Sequence, residues 1–226
     1  PKAVVDCVLD NGVTLVGLSA LMTTTVPAME ETIALLRKHC PEAKVVVGGA
    51  VLTQEYADMI HADHYAKDAM ETVRYAEEIG QLFAIEPVIR HIVSTPERCE
   101  RVLKAADSPN LKVILDAVNL LSEDNVADAK AIIADGVARL GKDTALLHIK
   151  DFIPYAEERG QQLKASVPNT DVFSNVVSCA AGLGDMDYAP LCALAKERSV
   201  PMTLENTNPM NAVAAREHLE KIGASL

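Results

Sequence analysis

Four polar side chains stand at or near the ends of apolar segments in the second half of the sequence. They are Glu86 in FAIEPVI, Asp116 in KVILDAVNL, His148 in ALLHIKDF and Glu205 in PMTLENT. Parallel strands place their carboxyl ends on one face, so we expect these side chains to converge. Burying three carboxylates beside an imidazole is costly without a compensating cation. The pattern therefore predicts a divalent metal site, for which Mn, Mg, Co and Zn all remain open.

Basic side chains adjoin these positions. Lys150 follows His148 by two residues, where it either contacts substrate oxygens or belongs to a solvated ion pair with Asp151. Arg90 and His91 come shortly after Glu86 and either bind an anionic group of a substrate or face water. We predict Lys150, Arg90 and His91 as substrate-binding residues.

Apolar and amphipathic segments alternate along the chain and must position these residues. Helical periodicity predicts helices over residues 1–11, 27–40, 69–81, 125–140, 190–198 and 212–222, with further helices beginning near Thr53 and Thr95. Apolar runs predict strands at residues 13–21, 43–51, 64–66, 83–89, 111–120, 144–152 and 200–207. After the strand at 144–152 we predict a long irregular segment to about Tyr188. Such alternation predicts an α/β fold with a parallel sheet, either open and doubly wound or closed as a barrel.

Composition narrows the function classes. The 226 residues carry a formal charge of −11, which argues against nucleic-acid binding. No apolar run approaches the roughly 18 residues of a membrane span. The five cysteines include no C-x-x-C pair, as is typical of reduced thiols, so we expect a cytoplasmic protein.

Three segments of the first third of the chain resemble a known family. VGLSALMTTT at 16–25, VVGGA at 46–50 and TQEYA at 53–57 are similar to the C-terminal part of the cobalamin-binding domain of methionine synthase and corrinoid methyltransferase proteins. The resemblance implies that Ser19, Gly48 and Gly49 line the slot for the nucleotide tail of the corrinoid. The alternative is that Gly48 and Gly49 form a tight strand-to-helix turn and that the Ser19 hydroxyl is satisfied at the end of its strand. The family's cobalt-ligating Asp-x-His-x-x-Gly motif lies upstream of the matching segments and is missing here, so we do not expect cobalamin to bind tightly.

The remainder, residues 82–226, resembles another family. The segments IEP at 85–87, VILDAVNLL at 113–121, LHIKDF at 147–152, GLGDMDY at 182–188 and LENT at 204–207 are similar to the xylose-isomerase-like sugar phosphate isomerase/epimerase barrels. This resemblance implies one divalent metal held by Glu86, Asp116, His148 and Glu205. It also implies that Glu86 and Glu205 act as acid and base on a small sugar or sugar phosphate.

Together these patterns predict a hybrid of two α/β fragments, 1–81 and 82–226, of recombined or engineered origin. We expect a barrel-like parallel (β/α) single domain of seven to eight strands; the alternative is an open flavodoxin-like sheet fragment with a half-barrel. Seven strands would close under strain, with residues 1–9 as cover, or leave an edge that forms a homodimer. The predicted function is a metal-dependent isomerase or epimerase of weak activity. The alternatives are a scaffold without catalysis and a corrinoid-binding module.

Overall fold

The computed structural model of the chain describes residues 1–167 and 170–223. It divides into two compact units, Pro1–Phe83 and Ala84–Leu226. No helix in the described part of the chain is long and apolar enough to cross a membrane.

The first unit alternates helices with the strands of one parallel sheet. Its helices are α1 (Lys2–Asn11), α2 (Val26–His39), α3 (Gln54–Met59) and α4 (Ala69–Glu78). Its strands are β1 (Leu15–Ser19), β2 (Lys44–Gly48) and β3 (His64–Ala66), in the order β1-β2-β3 with both pairs parallel.

Local sequence signals explain where these helices begin and end. Gly12 takes a left-handed conformation with φ of 62° and ends α1, as the Asn-Gly pair predicts. Thr53 accepts a hydrogen bond from the Tyr56 amide at the start of α3, and Asp68 accepts one from the Glu71 amide at the start of α4.

One face of the first sheet forms the core of the first unit. Val16, Val45 and Val47 are buried on this face and belong to the same apolar cluster as Ile33 and Leu36 of α2. The parallel, valine-rich strands thus pack as expected for the sheet of an α/β protein.

The second unit contains a four-stranded sheet in the order β10-β6-β5-β4. These strands are β4 (Phe83–Ile85), β5 (Leu111–Asp116), β6 (Thr144–Ile149) and β10 (Met202–Leu204). The β5–β6 and β6–β10 pairs are parallel. The accompanying helices are α5 (Pro96–Ala106), α6 (Ala129–Leu140), α7 (Glu158–Ser166), α8 (Ala189–Arg198) and α9 (Ala212–Lys221).

A separate antiparallel sheet and helix α7 lie in the segment that we predicted to be irregular. The sheet consists of β7 (Asp151–Pro154), β8 (Asp171–Phe173) and β9 (Val176–Cys179), in the order β7-β9-β8. Ser174 and Asn175 connect β8 to β9, and both have positive φ, at 52° and 58°. This is the backbone conformation of a tight hairpin turn, but the pair lacks the glycine that usually announces one.

The sheets require two corrections to the predicted fold. The α/β class with parallel sheets is confirmed, but the strands of residues 1–167 and 170–223 fall into three sheets and do not form a closed barrel. The predicted strand 144–152 is also two strands, β6 and β7, which join different sheets because the chain leaves the parallel ladder after Ile149.

Candidate metal centre

The four predicted ligands all lie at the carboxyl ends of the four-stranded sheet. Asp116 is the last residue of β5 and His148 is the penultimate residue of β6, while Glu86 and Glu205 directly follow β4 and β10. In the strand register Asp116 is opposite His148, and His148 is opposite Thr203. Register partners on neighbouring strands point to the same face, so the sheet itself brings Asp116 and His148 together.

Three of these residues form a cluster with the dimensions of a metal site. One ligand atom each from Glu86, Asp116 and His148 lies within 4.8 Å of the others. Glu205 adjoins this triad, since its Oε1 atom is 3.0 Å from His148 Nδ1, whereas Glu86 Oε1 is 3.3 Å from the same nitrogen. His148 Nδ1 is buried, and it makes no hydrogen bond within the described residues although two carboxylates flank it. A buried imidazole nitrogen between carboxylate oxygens is a donor set that suits a divalent cation.

Lys150 contributes a buried ammonium group to the same cluster. Its Nζ atom lies 2.6 Å from Asp116 Oδ2 and 3.0 Å from Glu205 Oε2, and the Lys150 side chain is 8% exposed. The contact with Asp116 is an ion pair without hydrogen-bond geometry. Two carboxylates contact this single ammonium and Glu86 adds a third to the cluster, which leaves two negative charges uncompensated when the imidazole is neutral.

Asn119 is a member of the site that the sequence did not indicate. Its Nδ2 atom donates to Glu86 Oε1 at 2.8 Å, and its Oδ1 atom accepts from Lys150 Nζ at 3.0 Å. It lies in the 3₁₀ turn Val118–Leu120 just after β5. Asp116 Oδ1 shapes this turn by accepting from the amides of Val118 and Asn119. An Asp three residues before an Asn at a strand end was the available signal.

Burial and the ammonium group act in opposite directions on the carboxylates. Burial raises the pKa of Asp116 and Lys150 lowers it, with a net increase to about 6. For Glu205, burial raises the pKa, but the hydrogen bond and charge of Lys150 outweigh it, so the pKa is lowered. Burial lowers the pKa of Lys150, yet Asp116 and Glu205 raise it further, and the net shift is upward. Lys150 therefore remains a cation in this site.

The remaining predicted residues of this unit lie in different surroundings. Arg90 is exposed, and its Nε atom donates to Ser174 Oγ at 2.8 Å while its guanidinium lies 4.8 Å from the ring centroid of Phe173. It thereby contacts the hairpin of β8 and β9. His91 is exposed in the turn after Arg90. A substrate-binding role for either residue remains a prediction.

Asp151, the residue after Lys150, is buried and has a structural role. Its Oδ1 atom accepts from the amides of Phe152 and Met186, and its Oδ2 atom accepts from the amide of Gly182. The carboxylate thus anchors the loop after β9 to the start of β7. Asp151 accepts from these amides and Lys150 pairs with Asp116 and Glu205, so the two residues do not form the solvated ion pair that was the alternative.

In the first unit, Ser19, Gly48 and Gly49 line a groove of about 320 Å³ at the carboxyl ends of the strands. Ser19 is exposed there, and Thr72 supplies a second hydroxyl to the lining. The backbone requires both glycines. A Cβ atom on Gly49, where φ is 114°, would lie 2.2 Å from the Ala20 carbonyl oxygen, and one on Gly48 would lie 2.8 Å from that of Ala66. The groove therefore presents hydroxyls and backbone without side chains, which fit the polar tail of a nucleotide-bearing cofactor.

Comparison with known proteins places this first unit in a family of domains. Residues 1–74 match the model of the B12 binding domain. Dimethylamine corrinoid protein 3 of Methanosarcina mazei is 48% identical over 67 residues, which are 29% of this chain and 40% of that protein. A corrinoid protein of Desulfitobacterium hafniense is 40% identical over 70 residues, which are 30% of this chain and 32% of that protein. The chain thus spans about a third to two fifths of the length of these relatives.

Solved structures resemble the chain over nearly its whole length. The probable 3-DHS dehydratase AsbF of Bacillus anthracis, described as involved in petrobactin synthesis, aligns with 100% of this chain and 82% of its own, with a TM-score of 0.52 and 12% identity. A xylose isomerase-like TIM barrel protein of Mycobacterium smegmatis in complex with magnesium covers 96% of this chain and 74% of its own, with a TM-score of 0.44 and 13% identity.

The chain therefore has an N-terminal B12-binding domain and is similar in fold to the AsbF structure. The resemblance to the cobalamin-binding domain that we drew from the sequence is confirmed at this level. The domain match also weighs against our expectation that cobalamin does not bind tightly.

Proposed function

We propose that the second unit binds one divalent metal ion through Glu86, Asp116, His148 and Glu205 and acts as a sugar or sugar phosphate isomerase or epimerase. The observation that carries the proposal is the cluster of Glu86, Asp116 and His148 ligand atoms within 4.8 Å of one another. The two uncompensated negative charges favour a divalent cation there. Carboxylate oxygens and one imidazole nitrogen accommodate Mn, Mg, Co or Zn.

The two glutamates have the arrangement that proton transfer at a carbon atom needs. Glu86 and Glu205 both approach His148 Nδ1, at 3.3 and 3.0 Å, and their side chains are 29% and 31% exposed. They therefore reach the centre of the site while remaining open to a substrate. One carboxylate removes a proton from the substrate carbon and the other returns one. A divalent ion held by these residues would supply polarisation of the substrate carbonyl, which would make that carbon-bound proton more acidic.

The contact of Glu205 with Lys150 predicts weak turnover. Lys150 holds Glu205 Oε2 at 3.0 Å and lowers the pKa of this glutamate, which makes it a poorer base. A misplacement of about 1 Å in such a site costs about a hundredfold in rate. We therefore expect metal binding to be easier to detect than catalysis.

Metal analysis and an epimerisation assay test this proposal. The purified full chain should bind close to one Mn²⁺ per chain and interconvert ketose epimers slowly. Glu205→Gln should abolish turnover, whereas Glu217→Gln, an exposed glutamate of α9, should leave it unchanged. Metal binding without turnover of any sugar or sugar phosphate would favour the scaffold alternative. The absence of Mn²⁺ binding at millimolar concentration would refute the metal site itself.

The first unit supports a second candidate function, the binding of a corrinoid. The identity of 48% to a dimethylamine corrinoid protein over 67 residues favours it. Ser19 and Thr72 would offer hydroxyls to the nucleotide tail, and the Gly48–Gly49 backbone would lie against it. Hydroxocobalamin titrated into the full chain should give a saturable change in its visible spectrum. Ser19→Leu should weaken this binding, and Thr14→Leu, an exposed position just before β1, should not.

A further inference from the structure

The Asp116 carboxylate has one oxygen open to a cation. Its Oδ1 atom accepts from the backbone amides of Val118 and Asn119, at 3.0 and 3.2 Å. Its Oδ2 atom lies 2.6 Å from Lys150 Nζ and accepts no hydrogen bond from the described residues. The Asp116 side chain is fully buried. A metal ion that uses Asp116 as a ligand must therefore take the oxygen that Lys150 contacts.

Lys150 can give up this oxygen without losing its other partners. Its ammonium lies 3.0 Å from Glu205 Oε2 and 3.0 Å from Asn119 Oδ1. A lysine ammonium carries three donors on a flexible stem, so a small rotation away from Asp116 keeps both of these hydrogen bonds. An arginine would be less suited, because its planar fork fixes the geometry of its contacts.

We propose that Lys150 is a displaceable counter-ion that occupies Asp116 Oδ2 in the metal-free protein and releases it to a divalent ion. The inference rests on the metal site proposed above and adds a regulation of that site. When the metal is absent, the ammonium compensates part of the negative charge of Asp116 and Glu205. It also competes with the metal for a ligand atom, and its positive charge repels the ion, so Lys150 sets the metal affinity of the site.

Titration of Mn²⁺ into the full chain, followed by the paramagnetic resonance signal of free Mn²⁺, tests this competition. Lys150→Met removes the charge at similar length, and it should tighten Mn²⁺ binding by roughly 10- to 100-fold, as expected for the loss of one adjacent positive charge. Lys150→Arg keeps the charge and should not tighten binding. Lys104→Met removes an exposed lysine of α5 that pairs with Glu100 and should bind like the wild type.

The outcomes separate this inference from the proposed function. If the wild type binds Mn²⁺ and Lys150→Met binds it equally or more weakly, the counter-ion inference is overturned and the metal site stands. If only Lys150→Met binds, Lys150 blocks the site and does not release it, and the displaceable counter-ion is overturned. If neither binds at millimolar Mn²⁺, both are overturned.

A second measurement does not depend on Lys150→Met, in case that variant fails to fold because Asp116 loses its buried ion-pair partner. The protein is labelled with ¹⁵N-lysine and titrated with diamagnetic Mg²⁺ and Zn²⁺. The Lys150 side-chain resonance, assigned by its loss in Lys150→Arg, should move with metal saturation, and that of Lys104 should stay in place. A Lys150 resonance that stays fixed while the His148 ring signals shift would overturn the inference.

Discussion

Asn119 donates a hydrogen bond from Nδ2 to Glu86 Oε1 at 2.8 Å and thereby ties the loop after β4 to the turn after β5. The same amide accepts from Lys150 at 3.0 Å, which fixes the orientation of the amide group. Asn119 thus links two of the proposed ligands to the same short turn: its side chain binds Glu86, and its backbone amide donates to Asp116 Oδ1.

The loss of this amide should destabilise the protein. Asn119→Leu leaves Glu86 and Lys150 each without one hydrogen bond, and we expect a decrease of about 2–4 kcal/mol in the free energy of unfolding, since hydrogen bonds to charged groups contribute about 1.5–3 kcal/mol each. Urea denaturation in the presence of a chelator measures it. Asn11→Leu changes an exposed asparagine that bonds only within α1 and should stay within about 0.5 kcal/mol of the wild type. An equal effect of the two substitutions would show that Asn119 does not organise the site.

Two glycines that line the groove of the first unit, Gly49 and Gly17, should respond differently to substitution by alanine. Gly49→Ala places a Cβ atom against the Ala20 carbonyl at a φ of 114°, and a cost of at least about 2–3 kcal/mol is expected for such backbone strain. Gly17→Ala is the matched control, because its Cβ would meet only Val46 Cγ1 at 3.8 Å. Chemical denaturation should find Gly17→Ala between neutral and about 1 kcal/mol stabilising. A decrease in stability well below this value for Gly49→Ala would mean that the turn after β2 can relax.

Asp63 should make the first unit sensitive to acid. Burial raises the pKa of Asp63, but the Val45 amide and the side chains of Arg37 and Lys44 outweigh it, so the pKa lies below its ordinary value of 3.8. An acid whose pKa is lowered by folding stabilises the fold above its unfolded pKa, and this stabilisation is lost as the pH falls through the folded pKa.

Asp63→Asn should therefore lower the free energy of unfolding at pH 7 by about 1–3 kcal/mol, as for the loss of hydrogen bonds to charged groups. The difference from the wild type should shrink on acidification below the ordinary pKa. Denaturation curves at several pH values provide the measurement, with Asp10→Asn, an exposed residue of α1, as the comparison. A difference that is independent of pH would remove Asp63 as the source of acid sensitivity.

The cysteines should differ sharply in their reactivity. Burial raises the pKa of Cys99 to about 11 and that of Cys179 to about 12, with Asp143 and Asp151 adding to the respective shifts. Cys7 is exposed on α1. Because the thiolate is the reactive form, iodoacetamide at pH 8 should label Cys7 quickly and Cys99 and Cys179 only after unfolding. Residue-level mass spectrometry distinguishes the sites, and rapid labelling of Cys179 in the native protein would contradict its burial.

Strand periodicity predicted much of the metal centre. Asp116 and His148 are register partners at the carboxyl ends of two parallel strands. In the sequence, each strand end is marked by an apolar run followed by a polar residue. Lys150 could have been placed beside His148 as well, because residues two apart on a strand share a face. The role of Asn119 was not predicted, since its contacts with Glu86 and Lys150 depend on the turn that Asp116 Oδ1 organises and the Asp-x-x-Asn spacing alone does not reveal them.

The antiparallel sheet escaped prediction for a different reason. Its strands β8 and β9 have three and four residues, and the connecting residues Ser174 and Asn175 adopt positive φ without a glycine. Such short strands gain their stability from partners distant in sequence, and β9 lies between β7 and β8 in the sheet. Pairing of this kind leaves little trace in local composition.

The antiparallel sheet also bears on how the second unit folds. β6 ends at Ile149 and its parallel partner β10 begins at Met202, so this pairing must close a long loop. The cost of closing a loop rises with its flexible length. A hairpin of β8 and β9 forms between residues close in sequence, and its pairing with β7 takes up part of that length before β10 arrives. The rate at which Glu205 reaches His148 during folding should accordingly depend on the turn at Ser174 and Asn175, far along the chain from both.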